Sequence, residues 1–153
     1  MEAMPVLRLA IQRTQRHQAL ARLRGLVRER PAGIDDATWD ALDRAATSIE
    51  IRIDDRIDGL PIPAFVAIAH GKRLAIITSA RSRCVELDDV ASARVVAAAR
   101  AVVSETAPQL VRAETILRLR VDDAGGVAFR EVAADAMDET WSRLLKVVLD
   151  AAG

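Results

Sequence analysis

The sequence predicts an α+β domain: an N-terminal helical hairpin followed by a mostly antiparallel sheet covered by helices, in the order α-α-β-β-β-(β)-α-β-β-α. Three observations lead there. Apolar residues recur at helical spacing near both ends of the chain and again after Asp88. Short runs rich in Ile, Val and Leu occupy the stretches between them, and Gly, Pro or Asp stands at nearly every break. A chain of 153 residues suits one domain, and its 51% apolar content is almost wholly aliphatic, with Trp39, Trp141, Phe65 and Phe129 as the aromatics.

From Thr14 to Arg30 the positions Ala19, Leu20, Leu23, Leu26 and Val27 form an amphipathic helical stripe. The apolar stretch from Met4 to Ile11 leaves two starts open, one near Pro5 and one after a short extended piece. Pro31 and Gly33 end this helix, so residues 1–33 form a basic arm and residues 34–153 the α+β body, the two making one structural unit. Asp36 is placed to cap a second helix carrying Trp39, Leu42 and Ala46 inward.

The stretch Ser48 to Asp58 fits both a helical and a strand period. Residues 51–55 (IRIDD) resemble residues 119–123 (LRVDD), and the later copy runs into Ala124-Gly125-Gly126, a hairpin loop, so 48–53 is expected to be a strand. Ala64 to Ala69 and Leu74 to Thr78 read as antiparallel strands around a turn at His70-Gly71-Lys72, with Val85 and Leu87 extending the sheet. Asp88 or Asp89 then caps a largely buried helix to about Glu105. After Pro108, strands follow at roughly 111–121 and 127–133, and Asp138 opens a last helix with Trp141, Leu144, Leu145 and Val148 on one face. The D-x-T-W-x-x-L echo at 36 and 138 is expected to mark the same cap and Trp anchor rather than a duplication, because no single period relates it to the first echo.

Charge is distributed unevenly although it sums to zero: seven Arg face two Glu in residues 1–30, and eight acidic residues face three Arg in residues 31–59. Packed antiparallel, the basic helix would lie near the carboxylates of the second. The Asp pairs at 35/36, 54/55, 88/89 and 122/123 are expected at element boundaries, as caps and turns, rather than as catalytic or metal carboxylates. With two His and one Cys, no metal site is expected, and no cofactor motif occurs. Cys84 is expected to be a buried or inert thiol despite Arg81 and Arg83 nearby. Ser79, Arg81, Ser82 and Arg83 combine hydroxyls with guanidinium groups and form the candidate for a small anion such as phosphate.

No leader or membrane span is recognised, which makes the cytoplasm the expected compartment. The function expected is a non-catalytic interaction, adaptor or chaperone-like protein, acting as a homodimer through its N-terminal helical arm or on another protein. Several small dimeric adaptor and chaperone domains share this element order, an analogy of topology alone. One alternative is a nucleic-acid-binding regulator using Arg13, Arg16, Arg22, Arg24 and Arg28, disfavoured by the neutral total and the few aromatics. Another is a small-anion sensor or enzyme built on Ser79 to Arg83.

Overall fold

The computed structural model of the chain describes residues 3–57, 59–78 and 82–153, with first-helix side chains from residue 15 onward. In chain order the elements are α1 (Ala3–Val27), α2 (Asp36–Ala45), β1 (Ser48–Ile57), β2 (Leu60–His70), β3 (Arg73–Ile77), β4 (Ser82–Glu86), α3 (Asp89–Glu105), β5 (Thr115–Asp123), β6 (Gly126–Ala133) and α4 (Glu139–Ala152), with a 3-10 turn at Ala134–Ala136. The fold is α+β, and its six strands make one antiparallel sheet in the order β4-β3-β2-β1-β5-β6.

Alternation along the strands sends two different chemistries to the two faces. Ile49 and Ile51 of β1, Leu117, Leu119 and Val121 of β5, Ala67 and Ala69 of β2, and Leu74 and Ile76 of β3 face α3 and α4. There they pack with Val95, Ala99 and Val102 of α3 and with Trp141, Leu144 and Val148 of α4 in the main core. On the opposite face Val66, Ile68 and Ala75 meet Leu20, Leu23 and Val27 of α1. The two-residue turn between β2 and β3 has Gly71 at φ +58, a left-handed conformation that glycine adopts without steric cost.

Several expectations are corrected in detail. The apolar stripe of α1 is closed by β2 and β3 rather than chiefly by α2, because Leu20, Leu23 and Val27 find a matching apolar strip on the sheet. Helix α2 has no buried residue, and Leu42 is 52% exposed, so its apolar side is not an inward anchor. Trp39 and Leu42 instead line a cavity of about 540 Å³ with Val27, Pro31 and Ile34. The cap of α2 is Asp35, whose Oδ1 accepts from Thr38 N at 2.7 Å, while Asp138 caps α4 and accepts from Trp141 N at 3.1 Å. The two D-x-T-W echoes therefore use their aspartates differently: Trp141 is fully buried, whereas Trp39 is only half-buried.

Helix α3 buries a stripe of four residues, Val95, Ala98, Ala99 and Val102, and leaves Val90 60% exposed. Residues 111–114, expected in a strand, precede β5. Strand β2 begins at Leu60, four residues before the expected start, and carries Pro61 and Pro63. This is possible because β3 pairs only with Val66 to His70, so the first half of β2 has a neighbour, β1, on one side alone. A register shift between Ile53 and Asp54 leaves Ala64 without a direct partner at the same place.

Candidate functional site

The face that α1 occupies is only partly covered. Helix α1 lies over β2 and β3, while the residues of β1, β5 and β6 on that face are mostly charged. Arg52 of β1 and Arg118 of β5 are direct cross-strand partners, and like charges there would repel without a counterion. Asp54 supplies it, accepting from Arg52 Nη2 at 3.2 Å and Arg118 Nη1 at 2.8 Å, and is 3% exposed. Arg118 continues the row to Glu131 of β6, with Nε 3.2 Å from Oε1. The expectation that Asp54 and Asp55 stand at a boundary is therefore corrected. They lie inside β1, where Asp54 balances two arginines and Asp55 accepts from Thr115 Oγ1 at 2.9 Å.

The sequence echo now has a physical reading. Ile51 and Leu119 are cross-strand partners, so the two copies are the adjacent central strands β1 and β5. In each copy Arg-x-Asp puts a cation and a carboxylate on the same face two positions apart: Arg52 with Asp54, and Arg120 Nη2 with Asp122 at 3.6 Å. The Arg120 guanidinium lies 5.4 Å from the Phe129 ring centroid. Phe129 is 59% exposed, and Val127 beside it 48%.

Where the last turns of α1 meet this charged strip, Arg24, Arg28, Ser48, Glu50, His70 and Arg120 enclose a cavity of about 470 Å³. Arg24 grips Glu50 with two donors, Nε at 3.0 Å and Nη2 at 2.5 Å. That contact raises the Arg24 pKa above its already high ordinary value. Arg28 Nη2 donates to Ser48 Oγ at 3.3 Å, and Ser48 Oγ lies 2.5 Å from His70 Nδ1. His70 Nε2 is 2.6 Å from Asp43 Oδ1. With the Nε2 proton directed at Asp43, Nδ1 accepts from the Ser48 hydroxyl, and a directed row of hydrogen bonds runs from Arg28, just past α1, through the sheet to α2.

A serine, a histidine and an aspartate in hydrogen-bond contact raise the question of nucleophilic catalysis. Ser48, however, is the first residue of a central strand paired with His70 on one side and Asp122 on the other. Its backbone thus belongs to the sheet ladder rather than to an exposed turn offering oxyanion donors. The arrangement is suited to fastening α2 to the sheet and to presenting a polar floor to the cavity.

The candidate arginines of α1 divide. The Arg13 side chain lies outside the described residues, and Arg22 is exposed. Arg16 donates to the Pro63 carbonyl, Arg24 pairs with Glu50, and Arg28 bonds Ser48. Arg30, just past the helix, pairs with Asp36, and Arg24 pairs with Glu50 on the sheet, so two carboxylates of the acidic segment meet the basic arm. Of the anion candidate, Ser79 and Arg81 lie outside the described residues. Ser82 is exposed on β4, and Arg83 donates through Nη1 to the Gly153 carbonyl at 3.1 Å, at the C-terminal end of α4. The Cys84 thiol is exposed rather than buried. Partial desolvation nevertheless pushes its pKa up, opposed by Arg73, which leaves little thiolate near neutrality.

Sequence reasoning missed Ser48, His70 and Arg120 as neighbours. His70 was expected in the turn, but it ends β2, and its cross-strand position opposite Ser48 is set by a register that no local signal specifies. The one available hint was the repeated Arg-x-Asp, which marks Arg120 as a face-mate of Asp122.

Comparison with protein-family models, curated proteins and solved structures finds no match for this chain. No helix among the described residues is long and apolar enough to cross a membrane.

Proposed function

We propose that the chain is a non-catalytic interaction protein that works in the cytoplasm as a homodimer, with α1 and the bare half of the sheet beside it as the contact surface. The observation that carries this reading is the exposed pair Phe129 and Val127 on a sheet face whose other half α1 already covers. Aromatic residues and arginine are the types enriched at interface centres, and Arg120 against Phe129 combines the two. The more exposed part of the strip is self-complementary in charge, with Arg118 and Arg120 beside Glu131 and Asp122. Self-complementarity is what a two-fold contact between identical copies requires. Helix α1 stands beside the strip as a wall, against which the same helix of a second copy can lie.

The test is sedimentation of the full chain and of the double substitution Val127→Glu with Phe129→Glu. The parent is expected at twice its 16.6 kDa chain mass and the variant at the mass of one chain. A parent that stays monomeric across micromolar concentrations, or a variant that remains dimeric, overturns the reading. A nucleic-acid role draws less support, since Arg16, Arg24 and Arg30 each have a partner within the chain and are less available to phosphates.

A further inference from the structure

We propose that the cavity between the last turns of α1 and strands β1, β2 and β5 binds the phosphate group of a small phosphorylated molecule, with Arg28 as its principal cation. The proposal goes beyond self-association and does not rest on it. Of the three arginines in the cavity, Arg24 has Glu50 at 2.5 Å and Arg120 has Asp122 at 3.6 Å. Arg28 pairs with no carboxylate among the described residues, and the one hydrogen bond of its side chain there is to Ser48 Oγ at 3.3 Å. A guanidinium offers five N–H donors, so most of those on Arg28 remain for a ligand.

The charges around the cavity favour an anion. Among the lining side chains three arginines stand against two carboxylates, Glu50 and Asp122. Donors also line the cavity from two sides, Arg28 just past the end of α1 and Arg120 on β5. A planar carboxylate is satisfied by one bidentate arginine, whereas a tetrahedral phosphate presents acceptors in several directions and suits this distribution. At about 470 Å³ the cavity lies within the usual range for small-molecule clefts and has room for more than the phosphate group itself. The Ser48–His70–Asp43 row holds the cavity floor in place before any ligand arrives.

The experiment is a titration of the isotopically labelled full chain, followed by NMR, with inorganic phosphate, phenyl phosphate and acetate at constant ionic strength. Saturable shifts are expected for both phosphates at Ser48, His70 and Arg28, with acetate much weaker. Arg28→Gln should weaken phosphate binding at least about tenfold. Arg143→Gln, an exposed change on α4 where Arg143 faces Glu139, should leave it unchanged. Arg28 is itself exposed, so its substitution should keep the dispersed spectrum of the parent, which the same data verify. Shifts that never saturate, equal responses to acetate, shifts centred on Arg83 instead, or an Arg28→Gln affinity equal to the parent's would each overturn the proposal.

Discussion

Asp54 is a buried carboxylate whose two arginine partners come from adjacent strands. Burial of a charge is tolerated only with such partners, and removing the carboxylate leaves Arg52 and Arg118 facing each other uncompensated. Asp54→Asn should therefore lower stability by about 1 to 3 kcal/mol, less than the loss for a fully buried pair because the Arg118 side chain is 36% exposed. Urea unfolding checks it, and a midpoint matching the parent's would contradict it. The alternation Ile-Arg-Ile-Asp made a strand legible at this position, but the strand's length was not. Asp is common at element ends, so the pair 54/55 looked like a boundary, and the partner that keeps it mid-strand, Arg118, lies 64 positions away. The exposure of Cys84 was hidden for a related reason: whether a strand lies at an edge depends on the whole sheet order, and β4 is an edge strand.

Among elements, the starts of the last three helices were legible to within a residue, because capping is local. Asp35, Asp88 and Asp138 each accept a backbone N–H three residues on. At α4 the hydrogen bond from the Thr140 hydroxyl, followed by that from Trp141 N, holds the Asp138 carboxyl below its usual pKa. A depressed folded-state pKa means that the ionised cap stabilises above the unfolded-state value and that this contribution fades as pH falls through the lower folded-state value. Asp138→Ala should thus be less stable than the parent at pH 6, and the gap should narrow on acidification below the ordinary carboxylate range, as melting curves against pH would report. A constant gap would exclude the ionised carboxylate as the cause. The start of β2 was illegible because Pro61 and Pro63 argue against a central strand, and only the short reach of β3 makes that half of β2 an edge. The partner of α1 was equally hidden: its stripe demands an apolar surface without saying whether a helix or a sheet supplies it.

For the molecule as a whole, the basic arm is a structural layer as well as a candidate contact surface. Leu20, Leu23 and Val27 are buried on Val66, Ile68 and Ala75, and three such side chains contribute roughly 5 to 9 kcal/mol, comparable to the entire net stability of a domain. Removing residues 1–33 should therefore abolish cooperative melting or cause aggregation, whereas Arg24→Gln should melt close to the parent; circular dichroism and gel filtration separate the two outcomes. A truncated chain that melts like the full one would mean that the sheet does not need this cover. The candidate cavity could not be read from the sequence because it assembles at this scale, from α1, β1, β2 and β5. Two of its arginines, Arg24 and Arg28, were visible in a basic run, but which carboxylate would neutralise Arg24 was not. The pairing of β1 with β5 also sets the tempo of folding. The meander from β1 to β4 and the hairpin of β5 with β6 are each local, yet Asp55 meets Thr115 and Ser48 meets Asp122 across 60 and 74 positions of chain. The central seam must wait for the loop between them to close, so the protein should fold in milliseconds to seconds rather than microseconds, with the β1 and β5 edges exposed until the two halves meet.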